Sequence, residues 1–413
     1  MTTPRPSTQR TGIRGVMLLG PAFVAAIAYV DPGNVAANLS AGAKYGYLLV
    51  WVLVAANLMA GLIQYESAKL GLVTGRSLPE LLGQRLRTGP RLGFWLQAEL
   101  IAAATDLAEV IGGAIALHLL FDLPLVVGGL IVGVVSMILL GVQSRFGQRP
   151  FEFVIIGLLT IIAIGFLAGL VVRPPDGAAV LGGLVPRFAG TGSVLLAASV
   201  LGATVMPHAI YVHSALARDR HGRADGPTQT GRLLRITKWD VSIALTLAGI
   251  VNIGMLLLAA TNLRSVTGVD TIEGAHDAIG AALGPAIAVI FSIGLLASGL
   301  ASTSVGSYAG ATIMAGLLRR RIPIVLRRSI TLIPALILLW VGADPTAVLI
   351  VSQVALSFGI PFALIPLLRF TNDSTVMGDF ANGLAVKVLL LVAVVLVIGL
   401  NATLLVLALV GGA

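Results

Sequence analysis

Long apolar stretches dominate this chain and recur from Ile13 to Leu409, with only short polar segments between them. A helix of about 20 apolar residues crosses the hydrocarbon core of a bilayer, and most of these stretches reach that length. The pattern predicts an all-α integral membrane protein with about eleven transmembrane helices. The predicted spans cover residues 15–38, 47–72, 94–121, 124–143, 152–172, 193–216, 240–260, 282–306, 326–342, 346–368 and 383–410.

The composition agrees with a membrane protein. Of the 413 residues, 57% are hydrophobic and 11% are charged, whereas a soluble domain carries about 25% charged residues. The sequence contains no cysteine, which excludes disulfides, thiolate metal ligands and cysteine nucleophiles. It also contains no GxxxxGKS or GxxxxGKT motif to cradle the phosphates of ATP. Uphill transport by this chain would therefore draw on an ion gradient.

The basic residues follow the predicted loops, so the formal net charge of +9 does not indicate nucleic-acid binding. Cytoplasmic loops of membrane proteins carry an excess of Lys and Arg. With a cytoplasmic N-terminus, all but four of these residues fall in segments predicted to be cytoplasmic. The four exceptions are Lys44, Arg173, Arg187 and Arg264. Adding or losing one span would destroy this asymmetry, which therefore supports eleven spans and an extracytoplasmic C-terminus.

Two of the apolar spans are interrupted near their middle. Span one contains AAIAYVDPGNVAANL, with Asp31 and Pro32 at its centre, and span six contains SVLGATVMPHAIYVHSAL, with Pro207 at its centre. Proline removes a backbone donor and clashes with the preceding turn, and the freed backbone groups must face protein or a hydrated cavity. Paired interruptions in two halves of a chain are typical of the binding site of a transporter with inverted repeats.

The chain is predicted to form one membrane transport domain, residues 1–413. The positions of the two interruptions, in spans one and six, predict that this domain contains two related five-helix repeats. The first five-helix repeat is predicted over residues 15–172 and the second over 193–368, with an extra helix at 383–410. Because five is an odd number of spans, the second repeat is inverted relative to the first. Each proline alone is equally well explained as a simple helix kink. An ionisable Asp31 beside such a kink is costly in a membrane and indicates a functional site.

The residues at the two interruptions form a candidate metal site. Oxygen ligands are available from Asp31, Asn34 and a freed carbonyl such as that of Ala203. Hard oxygens alone suit Mg²⁺ or Ca²⁺, whereas the thioether of Met206 shifts the preference toward softer first-row metals. Met206 considered alone is more often a packing residue. Gln353, in span ten beside the site, is a further candidate ligand, although intramembrane amides more often join helices.

Further polar groups in the membrane are candidates for carrying protons. Span three contains Glu99, Asp106 and Glu109, and the last two are three residues apart and so share one helix face. Such acids are costly unless they are neutral, paired or hydrated. Their candidate partners are Arg327, Arg328, His208 and His213. An arginine here can equally be a positive-inside anchor, which is the favoured interpretation for Arg328.

Several other polar residues in or near the spans are given no transport role by the sequence. His213 is interpreted as a packing histidine, and Asp240 and Glu66 as charges at helix ends or at the membrane interface. The intramembrane amides Asn57, Asn252 and Asn401 are expected to join helices.

Taken together, these segments resemble the natural resistance-associated macrophage protein (Nramp) family of divalent metal transporters, in particular its bacterial manganese importers. The resemblance covers nearly the whole chain, and DPGN combined with MPH at this separation is highly specific. Its other segments are SAKLGLVTGRSLPELL, AELIAAATDLAEVIG, LLASGLASTSVGSYAG and SQVALSFGIPFALIPLL.

The resemblance implies a fold similar to that of the leucine transporter, with inverted repeats, and a multi-pass protein of the bacterial inner membrane. It implies proton-coupled import of Mn²⁺, and of Fe²⁺ and similar ions, as substrates. No cofactor, nucleic acid or obligatory protein partner is implied. The family's metal ligands correspond to Asp31, Asn34, Ala203, Met206 and Gln353. Its proton route corresponds to Asp31, Glu99, Asp106, Glu109, His208, Arg327 and Arg328.

Three other functions compete with this interpretation. An amino-acid or cation symporter of the same fold would have a pocket of small residues without a thioether beside the acid. A magnesium transporter of a related subfamily would be indifferent to Met206→Ala, and the magnesium-transporting relatives lack this methionine. An intramembrane protease needs a catalytic constellation, and the chain has no HExxH motif. The protein is therefore not expected to be an enzyme.

Overall fold

The computed structural model describes residues 20–222, 226–264, 266, 268–269, 271–319 and 323–409. Residues 15–19 of predicted span one, the basic residues before it, Arg223, Arg320, Arg321 and residue 410 lie outside these ranges. The helices are α1 (Pro21–Ile27, continued by a 3₁₀ turn over Ala28–Val30), α2 (Pro32–Tyr45), α3 (Val50–Thr74), α4 (Leu78–Arg85), α5 (Thr88–Phe121), α6 (Leu125–Phe146), α7 (Gln148–Val172), α8 (Gly177–Gly182), α9 (Thr191–Thr204), α10 (Pro207–His221), α11 (Gly226–Asn262), α12 (Ile272–Leu283), α13 (Pro285–Ile313, continued by a π-helical turn over Met314–Leu318), α14 (Ile324–Trp340), α15 (Pro345–Asn372), α16 (Ser374–Met377) and α17 (Leu384–Leu409).

The predicted all-α membrane fold is confirmed. Span one corresponds to α1 with α2 and span six to α9 with α10, and the other nine correspond in order to α3, α5, α6, α7, α11, α13, α14, α15 and α17. Within the described ranges, eight helical segments are long and apolar enough to cross a membrane; one of them, Pro32–Thr74, holds parts of spans one and two. Two shorter apolar segments, Pro21–Val30 and Leu125–Leu139, lie in spans one and four, and α14 in span nine has 17 residues.

Some helices extend beyond the predicted spans. Helix α11 begins at Gly226, whereas predicted span seven begins at residue 240. Helix α5 likewise begins at Thr88 instead of residue 94. Apolar composition marks only the part of a helix inside the hydrocarbon core, and a helix continues into water wherever its backbone hydrogen bonds and packing permit.

Both predicted interruptions are present. Asp31 has an extended backbone (φ −71°, ψ 168°) between the 3₁₀ turn and α2, which starts at Pro32. Met206 is also extended (φ −73°, ψ 123°), between α9 and α10, which starts at Pro207. Proline is well tolerated at the first position of a helix because its missing N–H has no partner there anyway. Each proline therefore ends one half-helix and begins the next.

Small residues bring the neighbouring helices close to these interruptions. A side-chain carbon built on Gly112 of α5 would lie 1.9 Å from Cβ of Pro32. One built on Gly202 of α9 would lie 2.0 Å from the carbonyl oxygen of Gln353 on α15. Both contacts require glycine. They place α5 and α15 directly against the two broken helices.

Candidate metal and proton sites

The two interruptions are joined by hydrogen bonds from Asn34. Its side-chain nitrogen donates to Oδ1 of Asp31 at 2.7 Å and to the backbone carbonyl oxygen of Ala203 at 2.9 Å. The backbone N–H of Asn34 donates to the same Asp31 oxygen at 2.8 Å, so Asp31 also caps α2. The carboxylate, the amide and the carbonyl that the sequence predicted as ligands are therefore adjacent, and all three residues are fully buried.

Met206 and Gln353 are fully buried as well. Met206 is the residue that precedes Pro207 at the interruption of span six. The Gln353 amide packs on the interruption of span one, because a side-chain carbon on Gly33 would lie 1.7 Å from Nε2 of Gln353. The Gln353 amide lies against the Asp31 carboxyl group, but neither of its polar atoms makes a well-formed hydrogen bond among the described residues, and the same holds for Oδ2 of Asp31 and Oδ1 of Asn34. Buried polar atoms without partners are uncommon and call for an explanation.

This donor set contains only one acidic side chain, that of Asp31. The part of the chain that the structure describes contains no group of three or more His, Cys, Asp and Glu side chains that could hold a metal ion. A permanently bound ion is usually held by several charged ligands, and affinity falls as the number of charged ligands decreases. A single carboxylate among amide, carbonyl and thioether donors suits an ion that binds and is then released.

The carbonyl groups freed just before Asp31 are satisfied by side chains from other helices. Asn252 of α11 donates to the carbonyl of Tyr29 at 2.6 Å, and Ser298 of α13 donates to that of Val30 at 2.6 Å. Asn252 in turn accepts from Asn38 at 2.9 Å. The expectation that Asn252 joins helices is confirmed. Ser298 and Asn38 were not singled out from the sequence, because nothing local distinguishes them from other small polar residues in the spans.

A second buried chain of hydrogen bonds lies next to the site. Gln64 of α3 donates to the Tyr29 hydroxyl at 2.5 Å, and its side-chain oxygen is 2.8 Å from Nδ1 of His213 on α10. All three side chains are fully buried. The interpretation of His213 as a packing histidine agrees with this contact. Gln64 and Tyr29 were missed, although a glutamine within an apolar span was a usable signal.

The acids of predicted span three pair with the arginines of span nine. Nη2 of Arg327 is 2.9 Å from Oε1 of Glu99, and its Nη1 is 3.7 Å from Oδ2 of Asp106. Nη1 of Arg328 is 3.2 Å from Oδ1 of Asp106. Asp106 and Arg328 are completely buried. The interpretation of Arg328 as a positive-inside anchor is therefore wrong: its side chain turns inward because Asp106 compensates its charge within the protein.

Glu109 and His208 extend this set toward the interruptions. Glu109 is one helical turn before Gly112, the residue that contacts Pro32. A side-chain carbon on Gly306 of α13 would lie 2.9 Å from Oε2 of Glu109, so that glycine makes room for the carboxyl group. His208 is buried, with its Nδ1 3.3 Å from Oγ1 of Thr105. The Ser302 hydroxyl of α13 lies close to the Glu109 carboxyl group, but neither oxygen of Glu109 makes a well-formed hydrogen bond among the described residues.

Two other charges are more deeply placed than the sequence indicated. Asp240 of α11 is 2% exposed and accepts hydrogen bonds from the backbone N–H groups of Gly20 and Ala22, at 3.1 and 3.0 Å. Glu66 is 1% exposed and lies 2.8 Å from Nζ of Lys69. Asp240 thus lies at a helix end, the start of α1, as the sequence suggested, but both side chains are buried within the protein. Both are retained inside the protein because a partner compensates them.

Comparisons with known proteins agree with this architecture. Residues 22–407 match the family described as natural resistance-associated macrophage protein-like. The chain is 63% identical over 365 residues to the divalent metal cation transporter MntH of Mycobacterium tuberculosis H37Rv, covering 88% of this chain and 85% of that protein.

Two solved structures extend the comparison. The crystal structure of the Eremococcus coleocola manganese transporter superposes with a TM-score of 0.86 at 30% identity, covering 97% of this chain and 88% of that one. A nucleobase-cation-symport-1 family transporter, MHP1, matches with a TM-score of 0.57 at 16% identity, covering 85% of this chain and 78% of that one, and this likeness is one of fold alone.

Proposed function

The chain belongs to the Nramp family, and from that premise we propose that it imports divalent transition-metal ions, Mn²⁺ and Fe²⁺ among them, in symport with protons. The observation that carries the proposal is the hydrogen-bonded group formed by Asp31, Asn34 and the Ala203 carbonyl at the two helix interruptions. It is supported by similar proteins named as divalent metal cation and manganese transporters. No catalytic role is proposed.

The proposed metal ligands come from both interruptions and from α15. They are Asp31, Asn34, Met206, Gln353 and the carbonyl of Ala203. Asn34 at present donates its N–H groups to two of the other oxygens, so rotation of its amide is needed to turn Oδ1 toward an ion. An arriving cation would then replace those N–H groups as the partner of the carboxylate and the carbonyl. Met206 adds the soft ligand that favours first-row transition metals over Ca²⁺ and Mg²⁺.

The proposed proton route leads from Asp31 through Glu109, with His208 alongside, to Asp106 and Glu99. Three carboxyl groups in α5 face two guanidinium groups, those of Arg327 and Arg328, so one added proton makes the set neutral overall. Exposure increases along the route, from the fully buried Asp106 to Glu99, which is 18% exposed. A proton displaced from Asp31 by the incoming metal can therefore leave through this set without crossing the metal's path.

The burial of every proposed ligand implies a cycle with at least two other conformations. An ion reaches the site only when the protein opens on one side, and leaves only when it opens on the other, as in alternating access. We assign the opening toward the cytoplasm to the first half of span one, α1, which swings away from the site. On one side of the site the Tyr29, Gln64 and His213 chain would have to separate, which requires α1 to move away from α3 and α10.

We further propose that the protein lies in the bacterial inner membrane with its N-terminus in the cytoplasm and its C-terminus outside. The support is the concentration of Lys and Arg in the segments predicted to be cytoplasmic. Only four of these residues fall outside those segments, and the four are scattered along the chain. In this orientation Glu99 and the start of α14 are near the cytoplasmic side. The proton route would then release its proton inward, in the same direction as the metal.

The test is uptake by the purified chain reconstituted in proteoliposomes that contain a pH-sensitive dye and a dye for Mn²⁺. The proposal predicts Mn²⁺ entry accompanied by internal acidification, with little inhibition by Ca²⁺ or Mg²⁺. Transport of Mg²⁺ as efficient as that of Mn²⁺ would contradict the transition-metal assignment. Mn²⁺ entry without acidification, at any imposed pH gradient, would contradict proton coupling while leaving the metal site intact.

A further inference from the structure

A groove of about 480 Å³ runs between α3, α9 and α17 on the membrane-facing surface of the protein. Its walls are apolar and include Trp51, Met59, Phe188, Leu201, Leu396 and Gly399. The volume falls within the range of about 300 to 1,000 Å³ found for small-molecule sites. Leu201 is two residues before Ala203, so the groove reaches the same half-helix that carries a proposed metal ligand.

The groove exists because α17 is hydrogen-bonded, among the described residues, to α15 and not to α3. Asn401 of α17 donates to the carbonyl of Ser357 on α15 at 2.8 Å and accepts from the Ser357 hydroxyl at 2.7 Å. Toward α3 the side chains of Val395 and Leu396 remain 60% exposed. Gly399 leaves further space, since a side-chain carbon there would meet no atom within 4 Å. In a bilayer such a crevice is filled by chains from the lipid, because an empty one forfeits dispersion contacts on all its walls.

One end of the groove has the features of a membrane interface. The rings of Trp51 and Phe188 meet edge to face, with centroids 5.4 Å apart. The Trp51 indole N–H donates to the carbonyl of Arg187 at 3.2 Å, which fixes that loop beside the groove. Trp is enriched where hydrocarbon meets headgroups, and Arg187, whose carbonyl Trp51 holds, is an exposed residue that directly precedes the groove residue Phe188. A cation at this level complements the phosphate of a lipid whose acyl chain enters the groove.

We propose that this groove is a binding site for one phospholipid, with an acyl chain along α17 and the phosphate at Arg187. The apolar walls take the chain, the aromatic pair marks the depth of the glycerol region, and the guanidinium selects anionic headgroups. The bound lipid completes the packing of α9 on the side away from α15. This inference stands independently of the metal and proton assignments.

The test is native mass spectrometry of the full-length protein in detergent, titrated with phosphatidylglycerol or with phosphatidylcholine of the same chains. Gly399→Leu fills the groove, and Gly157→Leu is the matched control, because Gly157 on α7 is equally open and membrane-facing. We expect one tightly bound phosphatidylglycerol on the parent and on Gly157→Leu. Gly399→Leu should weaken that binding by roughly tenfold, and Arg187→Gln should remove the preference for phosphatidylglycerol over phosphatidylcholine.

Two results would overturn the proposal. The first is equal phosphatidylglycerol binding by Gly399→Leu and Gly157→Leu, which would mean that the retained lipid lies elsewhere. The second is a parent protein that is dimeric in the same spectra and becomes monomeric on Gly399→Leu. That outcome would assign the groove to a second copy of the chain. Protection from thermal unfolding by added lipid provides a second readout, since a ligand specific for the folded state raises its stability.

Discussion

The side-chain nitrogen of Asn34 lies 2.9 Å from the carbonyl oxygen of Ala203, a residue 169 positions away in the sequence. This single hydrogen bond joins the interruption of span one to that of span six. Because the same nitrogen also holds Oδ1 of Asp31, two oxygens of opposite halves of the protein are kept together before any ion binds. In our account the metal takes over this bridging role, which makes its binding sensitive to the distance between the two half-helices.

Asp31→Asn removes the only charge from the proposed metal site while preserving its size. We expect Mn²⁺ uptake to fall by roughly a hundredfold, the upper end of the loss found on removing groups that support a metal ligand. Uptake of radiolabelled Mn²⁺ into proteoliposomes measures it. Asp277→Asn makes the same change at an exposed position and should behave as the parent. Parental uptake by Asp31→Asn would exclude Asp31 as a ligand.

Glu109→Gln keeps a polar side chain but can no longer take up and release a proton. We expect Mn²⁺ entry to continue with internal acidification reduced, because Glu109 is the acid nearest the interruption of span one. Simultaneous recording of a pH dye and a Mn²⁺ dye gives the ratio of the two fluxes. Glu273→Gln, on the short helix α12, is the control. An unchanged proton-to-metal ratio in Glu109→Gln would remove this residue from the route.

Arg328→Gln leaves Asp106 with weaker compensation in a fully buried position. Breaking a buried ion pair costs about 3–5 kcal/mol, so the free energy of unfolding in a denaturing-detergent titration should fall by that order. The double variant Asp106→Asn with Arg328→Gln should lose less than the sum of the two single changes. Arg369→Gln, at an exposed arginine, should have little effect. Additive losses at positions 106 and 328 would show that the pair is not energetically coupled.

Asp240→Ala removes the acceptor that holds the first residues of α1. Loss of a capping acceptor costs about 1 kcal/mol, which corresponds to roughly a fivefold increase in the population of molecules in which the start of α1 is released. If α1 moves during transport, a cysteine placed at the buried Ala26 should react about fivefold faster with a cytoplasmic thiol reagent in this background. The natural chain has no cysteine to interfere. Ser242→Ala, an exposed change on the same helix, is the control. Equal labelling rates in the Asp240→Ala and Ser242→Ala proteins would contradict the idea that Asp240 restrains α1.

Local sequence signals predicted the parts of the structure that depend on local physics. Proline disfavours the continuation of a helix, and at Pro32 and Pro207 a polar neighbour marks the break, so both interruptions were found at the correct residues. Proline alone is not sufficient, since Pro334, Pro361 and Pro366 lie inside continuous helices. The apolar stretches located every span but not the ends of its helix. For example, α11 continues as a helix for several turns outside the apolar region.

What the sequence could not predict depends on tertiary contacts. Arg328 stands at the start of an apolar span, where an arginine usually anchors the helix to the membrane surface, and only the fold shows that Asp106 lies opposite it. Ser298 and Gln64 are likewise ordinary polar residues until α1 is placed beside them. The candidate ligands could be proposed because they are attached to the interruptions themselves. Their partners come from other helices and carry no local pattern.

The central claim, that a thioether at the interruption of span six selects transition metals, is tested most directly by competition in proteoliposomes. Mn²⁺ uptake is measured with excess Ca²⁺ or Mg²⁺ for the parent, for Met206→Ala, and for Met255→Ala. Met255 is a fully buried methionine of α11 and so controls for lost volume. We predict that the parent and Met255→Ala resist both competitors, whereas Met206→Ala is inhibited by them or transports them. Undiminished discrimination in a folded Met206→Ala protein would contradict the account.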